Sequence, residues 1–107
     1  MDMIFEKNRL ASFKKWPFSD KFRCNPKTLA EAGFYFVSSG CAKCFVCFKE
    51  LEGWESDDDP WSEHRRHAKN LNCEFVNTGK KESEMTVKEF LRICSAHEQK
   101  FTVRFFC

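Results

Sequence analysis

The chain has 107 residues, 42% hydrophobic and 16% aromatic, with 13 Phe and a formal net charge of +2. That length holds one domain, the aromatic load excludes a disordered tail, and the near-neutral balance gives no general signal for nucleic acid. Seven Cys follow a polar start at Met1–Leu10 that contains no signal-like or membrane-spanning stretch. An intracellular, reducing compartment is therefore expected, with clustered thiols reading as metal ligands before disulfides.

In chain order, an amphipathic helix is expected from about Phe5 to Lys15, with Phe5, Arg9, Leu10 and Phe13 on one side and Pro17 ending it. Asn25 as N-cap, Pro26 at the first position and Gly33 as terminator delimit a second helix. Phe34–Val37 has strand composition, and Ser38-Ser39-Gly40 turns the chain. Two further short strands are expected at Cys44–Phe48 and Leu51–Trp54, around a metal knuckle. Asp59-Pro60 opens another helix, running to about Lys69. The last helix has a T-x-x-E capping box at Thr86 and Glu89, with Met85 and Phe90 as a hydrophobic staple. Its apolar positions are Val87, Phe90, Leu91 and Cys94. The end, Lys100–Cys107, has strand-like composition and no helical period. A short antiparallel sheet among helices is an α+β domain.

Cys44-x2-Cys47 is followed by His64 and, after eight more residues, by Cys73. Zinc takes four sulfur or imidazole ligands, and C-x2-C lets one knuckle supply two thiolates. A closed Cys3His set leaves no site for water, so such a metal is structural. Spacing alone leaves competitors: Cys41 extends the run to C-x2-C-x2-C, and His67 lies one helical turn from His64. Around the knuckle the charge is uneven. Between Lys49 and Glu63 lie seven acids (Glu50, Glu52, Glu55, Asp57, Asp58, Asp59, Glu63), while Lys and Arg crowd both flanks. An acidic centre of this kind attracts a free amino terminus or a basic tail. No catalytic dyad or phosphate-cradling glycine loop is present, so a binding module and not an enzyme is expected.

The stretch Cys44–His64, CFVCFKELEGWESDDDPWSEH, resembles the core of the baculovirus inhibitor-of-apoptosis repeat (BIR). RLASFKKWPF at Arg9–Phe18, LAEAGF at Leu29–Phe34 and TVKEFL at Thr86–Leu91 carry the same resemblance, which is nearest to the single-repeat mitotic branch of the family. It covers residues 5–93, leaving 94–107 as a divergent tail, as in a short variant or a diverged orthologue. The resemblance implies a small domain with a three-stranded antiparallel sheet surrounded by helices, and one structural zinc on Cys44, Cys47, His64 and Cys73. The family usually has six residues between the last two ligands, where this chain has eight.

The same resemblance implies a groove for the amino terminus of a partner. Glu52 and Asp58 would face the ammonium, and Trp54, alone a candidate core residue, would wall the small first side chain. Lys49 and His67 would face a phosphate on the third residue of a histone tail. It further implies a mitotic adaptor of the chromosomal passenger complex that also regulates apoptosis. The alternative is an inhibitor that captures Ala-led amino termini of caspases or their antagonists. Cytoplasm and nucleus, with centromere, chromosome and spindle in mitosis, are the implied locations; no membrane association is expected. A weak homodimer through Phe90 and Leu91, helped by Phe5 and Leu10, completes the expectations, together with passenger-complex subunits bound by whatever remains of the last helix.

Overall fold

The computed structural model describes residues 2–106, with side chains through Gln99. Five helices, α1 (Glu6–Ser12), α2 (Pro26–Glu31), α3 (Pro60–His67), α4 (Glu74–Thr78) and α5 (Val87–Phe106), surround strands β1 (Phe34–Ser38), β2 (Cys41–Cys44) and β3 (Glu50–Glu52). The strands form one antiparallel sheet in the order β1-β2-β3. Phe34 pairs with Cys44 across β1 and β2, and Ala42 with Leu51 across β2 and β3. This pairing sets the first zinc-ligand candidate at the inner end of the central strand. The α+β class and the small three-stranded sheet are those expected.

Local chemistry explains the element ends. Asn25 accepts from the Thr28 amide at 3.0 Å, and the Thr28 hydroxyl accepts from the Asn25 amide at 3.0 Å, so α2 starts in a closed capping box. Asp59 caps α3 through the Trp61 amide with Pro60 at the first position. The α5 box also closes: the Thr86 amide donates to Glu89 at 2.9 Å, and the Glu89 amide to the Thr86 hydroxyl at 3.1 Å.

Three expectations need correction. β2 is Cys41–Cys44, not Cys44–Phe48. Residues 45–48 form the knuckle itself, with amides of Val46 and Cys47 aimed at Cys44 Sγ and Phe48 at φ 63, a backbone no strand can continue. Between Lys69 and the last helix, where no element was expected, lies α4 with Cys73 as its N-cap; its five residues are too few to show a period in the sequence. Finally, the helix runs without a break across residues 93–94 to Phe106, where a strand-like tail was expected. The capping box nucleates α5, Ile93 is fully buried, and extending a formed helix is far easier than starting one. Phe101, Phe105 and Phe106, whose run of aromatics reads in the sequence as an association patch or a sticky end, lie outside the described side chains.

The core packs Phe13, Leu29, Phe34, Phe45, Trp54, Phe75 and Ile93 around the knuckle. Among the described residues its one buried Lys or Arg is Arg9, 1% exposed on α1. Arg9 Nε donates to Ala30 O at 3.0 Å, and Nη1 to Met3 O at 2.9 Å and Ile4 O at 2.8 Å. The guanidinium lies 4.3 Å from the centre of the Phe45 ring. Burial, against the attraction of Glu6 and Glu82, lowers its pKa to about 10, so it stays charged at neutral pH. Arg9 thereby ties the chain start, the end of α2 and the knuckle together.

Candidate metal centre and groove

Four ligand candidates come from three places that the fold brings together. Cys44 closes β2, Cys47 ends the knuckle turn, His64 sits mid-helix on α3, and Cys73 caps α4. Their ligand atoms all lie within 4.8 Å of one another, and all four residues are buried. Cys44 Sγ is 3.9 Å from Cys73 Sγ, while His64 Nε2 is 3.8 Å from Cys47 Sγ and 3.7 Å from Cys73 Sγ. A zinc–sulfur bond of about 2.3 Å gives a tetrahedron with edges of about 3.8 Å, so the donor set fits the ion. Cys41 and His67 lie outside this group, which settles the choice that spacing left open.

The surroundings serve the same end. His64 Nδ1 is 2.7 Å from Ala32 O, which can only accept, so Nδ1 carries the proton and Nε2 is left as a ligand. Gly33, at φ +96, lets the chain pass so close that an added Cβ would stand 3.0 Å from Phe75 Cδ1 and 3.5 Å from His64 Cε1. Burial pushes the Cys44 thiol well above its ordinary range, whereas donation from Cys44 and Cys73 draws the Cys47 thiol far below. The three sulfurs can all ionise at these distances only around a cation, and zinc binding is then part of the folding free energy. These residues form a zinc-binding site. All described cysteines are free thiols.

Beside α3, a cavity of about 70 Å³ is lined by Leu51, Glu52, Gly53, Trp54, Asp58, Glu63 and His67. The expected groove residues Glu52, Trp54 and Asp58 thus share one concavity with His67. Lys49 does not line it; this half-buried residue precedes β3, and its carbonyl accepts from the Cys44 amide. Trp54 is 9% exposed: its indole donates to Leu51 O at 3.0 Å and packs edge-on against Phe34 and Trp16. It is therefore a core residue with one edge on the cavity. Asp58 Oδ2 accepts from the Glu55 amide at 2.8 Å, which fixes the carboxylate. Glu63 was counted among the acids but given no role. It stands one turn before His67 on α3, and its Oε1 is 3.8 Å from His67 Nε2; that i, i+4 spacing was the signal available. β3 is an edge strand of the sheet.

The self-association residues behave differently from one another. Phe90 stacks on Phe5 within the chain, ring centres 6.0 Å apart. Leu91 is 61% exposed and Val87 77% exposed, on the same helix. Among the described residues, no helix is long and apolar enough to cross a membrane.

A family model, BIR, the Inhibitor of Apoptosis domain, matches residues 9–77. The chain is 46% identical over 95 residues to Baculoviral IAP repeat-containing protein 5 of Mus musculus, covering 84% of this chain and 66% of that protein. Against Baculoviral IAP repeat-containing protein 5.2-A of Xenopus laevis it is 43% identical over 94 residues, covering 84% and 59%. The chain thus spans just under two thirds of the mouse relative and less of the frog one. Among solved structures, that of DIAP1 BIR1 bound to a Grim peptide matches with a TM-score of 0.62 and 31% identity, covering 87% of this chain and 93% of that one.

Proposed function

The chain belongs to the Inhibitor of Apoptosis domain family, and from that premise we propose that it is a survivin-like adaptor that captures protein amino termini, histone tails first among them. The observation that carries this reading is the cavity where Glu52, Asp58 and Glu63 converge on the edge of Trp54. A terminal ammonium seeks carboxylates, and a small first side chain seeks an aromatic wall. β3 offers an unpaired strand edge on which the following residues of an extended peptide could align by backbone hydrogen bonds. Support also comes from DIAP1 BIR1, a relative solved with a bound Grim peptide.

Within this reading, His67 at the rim and Lys49 at the entry to β3 would meet a phosphate on the third residue of the tail. His67 already stands beside Glu63, so a phosphate would compete with that carboxylate for it. The 20 residues of α5 supply a helix on which passenger-complex subunits could assemble in mitosis, at centromere, chromosome and spindle. The rival reading is capture of Ala-led termini of caspases or their antagonists, which would use the same ammonium site without the phosphate contacts. Calorimetric titration with a histone-tail peptide, with and without phosphothreonine, and with an Ala-led antagonist peptide separates the two. Tighter binding of the phosphorylated tail, lost in His67→Ala, is expected. Equal affinity for both histone forms would leave amino-terminal capture and remove the phosphate role.

A further inference from the structure

We propose that a second cavity, between the zinc knuckle, the segment leading to Cys73 and α5, holds an aliphatic cation: the lysine or arginine side chain of a partner protein. The cavity is about 330 Å³, within the range that encloses a small ligand or one long side chain. Val46 of the knuckle, Leu71 and Ala96 of α5 give it apolar walls, and Asn72, Glu74 and Gln99 bring polar groups. An extended alkyl stem suits such walls, with the charged head left to a polar partner.

The charge points to a cation. Glu74, half-buried, has no ion-pair or hydrogen-bond partner for its carboxylate among the described residues, unlike Glu31, Glu63 and Glu89, which each hold a Lys or Arg. No Lys or Arg among the described residues lines the cavity. Cys73, a zinc ligand, does line it, and three thiolates around one zinc leave that centre with a net charge of about −1. Two negative centres therefore face this slot, with no counter-ion among the described residues that line it.

The segment between His64 and Cys73 supplies Leu71 and Asn72. Asn72 adopts φ 49 and is pinned by a 3.0 Å bond from Asn77 Nδ2, so this wall is held in place. Ala96 and Gln99 lie on α5 beyond the last residues that carry the resemblance. His97 fastens that turn of α5 to the knuckle, with Nδ1 2.7 Å from Phe45 O. The site is separate from the amino-terminal groove and does not depend on it.

The test uses probes whose amino terminus is blocked, and the positions of the shifts tell this cavity from the groove. The zinc-loaded chain, isotopically labelled, is titrated with N-acetyl-lysine methylamide, its arginine counterpart and the uncharged norleucine counterpart, and amide shifts are followed by NMR. The cationic probes should perturb Leu71, Asn72 and Glu74, and norleucine should bind at least about threefold more weakly. Glu74→Gln should lower lysine-probe affinity about threefold to fivefold, leave norleucine unchanged and keep its zinc. Ala96→Leu, which fills the slot from α5, should abolish the response independently. Shifts confined to Glu52–Asp58, no shifts, an equal response to norleucine, or indifference to Glu74→Gln would each overturn the proposal.

Discussion

His64 Nδ1 donates to Ala32 O across 2.7 Å, so the last turn of α2 holds the ring that offers Nε2 to the metal. Because that partner is a backbone carbonyl, it cannot be removed by a side-chain change, and the ligand tautomer is built into the α2–β1 corner.

The folded chain should carry one zinc per molecule. Cys44→Ala, Cys47→Ala, His64→Ala and Cys73→Ala should each lose stoichiometric metal, while Cys41→Ala and His67→Ala keep it, since only the first four converge. A chelator should unfold the wild type, followed by circular dichroism. A Cys41→Ala protein without metal beside a zinc-bearing Cys73→Ala protein would refute the assignment.

Arg9→Met should destabilise the domain by about 3 kcal/mol, read as a shifted urea midpoint. The change removes three charge-assisted hydrogen bonds to the Met3, Ile4 and Ala30 carbonyls and takes the cation from the Phe45 face. Arg9→Lys should recover less than half of that loss, because an ammonium cannot reach Ala30, Met3 and Ile4 with the guanidinium's fixed geometry. A wild-type midpoint for Arg9→Met would contradict the role given to this residue.

Glu6 should make stability fall as pH rises. Burial, with Glu31 and Glu82 nearby and against the pull of Arg9, raises its pKa above 4.5, and its Oε1 is buried without a partner. A carboxyl whose folded pKa is raised helps the fold below its unfolded pKa, and that help is lost as pH climbs through the folded value. Glu6→Gln should therefore melt higher than wild type at neutral pH, with the gap closing toward about pH 4. A gap of constant size over this range would dissociate the effect from Glu6 ionisation.

Leu91→Glu should leave the monomer folded, because the side chain is 61% exposed, and should weaken any self-association seen by sedimentation at high concentration. Phe90→Ala should instead cost the monomer stability as well, since Phe90 already stacks on Phe5. A wild type that stays monomeric at every concentration would end the idea of an interface here.

Much of this architecture is legible in the sequence because it rests on local chemistry. Asn25-Pro26, Asp59-Pro60 and Thr86-x-x-Glu89 announce helix starts through side chains that act within four residues, and all three do so in the structure. The zinc quartet needed the family resemblance, because C-x2-C-x2-C and two histidines on one helix leave several equal choices. What stayed hidden depends on distant partners. Arg9 could be placed on the apolar side of its helix, yet nothing local says that three carbonyls and Phe45 wait there for it. His97 follows the same logic: its partner, Phe45 O, is 52 residues away. The strand-like tail misled because β-branched and aromatic residues were judged without the long helix already running into them.

Phe45 touches nearly every part of the molecule. Its amide donates to Gly33 O, its carbonyl accepts from His97, its ring carries Arg9 on one face and meets Phe75 edge-on. It is also flanked by the metal-binding cysteines, so the knuckle cannot swing open while its neighbours stay put. Metal exchange should then have no local route. Zinc would leave at the rate of whole-domain unfolding and not at the intrinsic rate of a thiolate site, so a loaded molecule keeps its ion for as long as it keeps its fold.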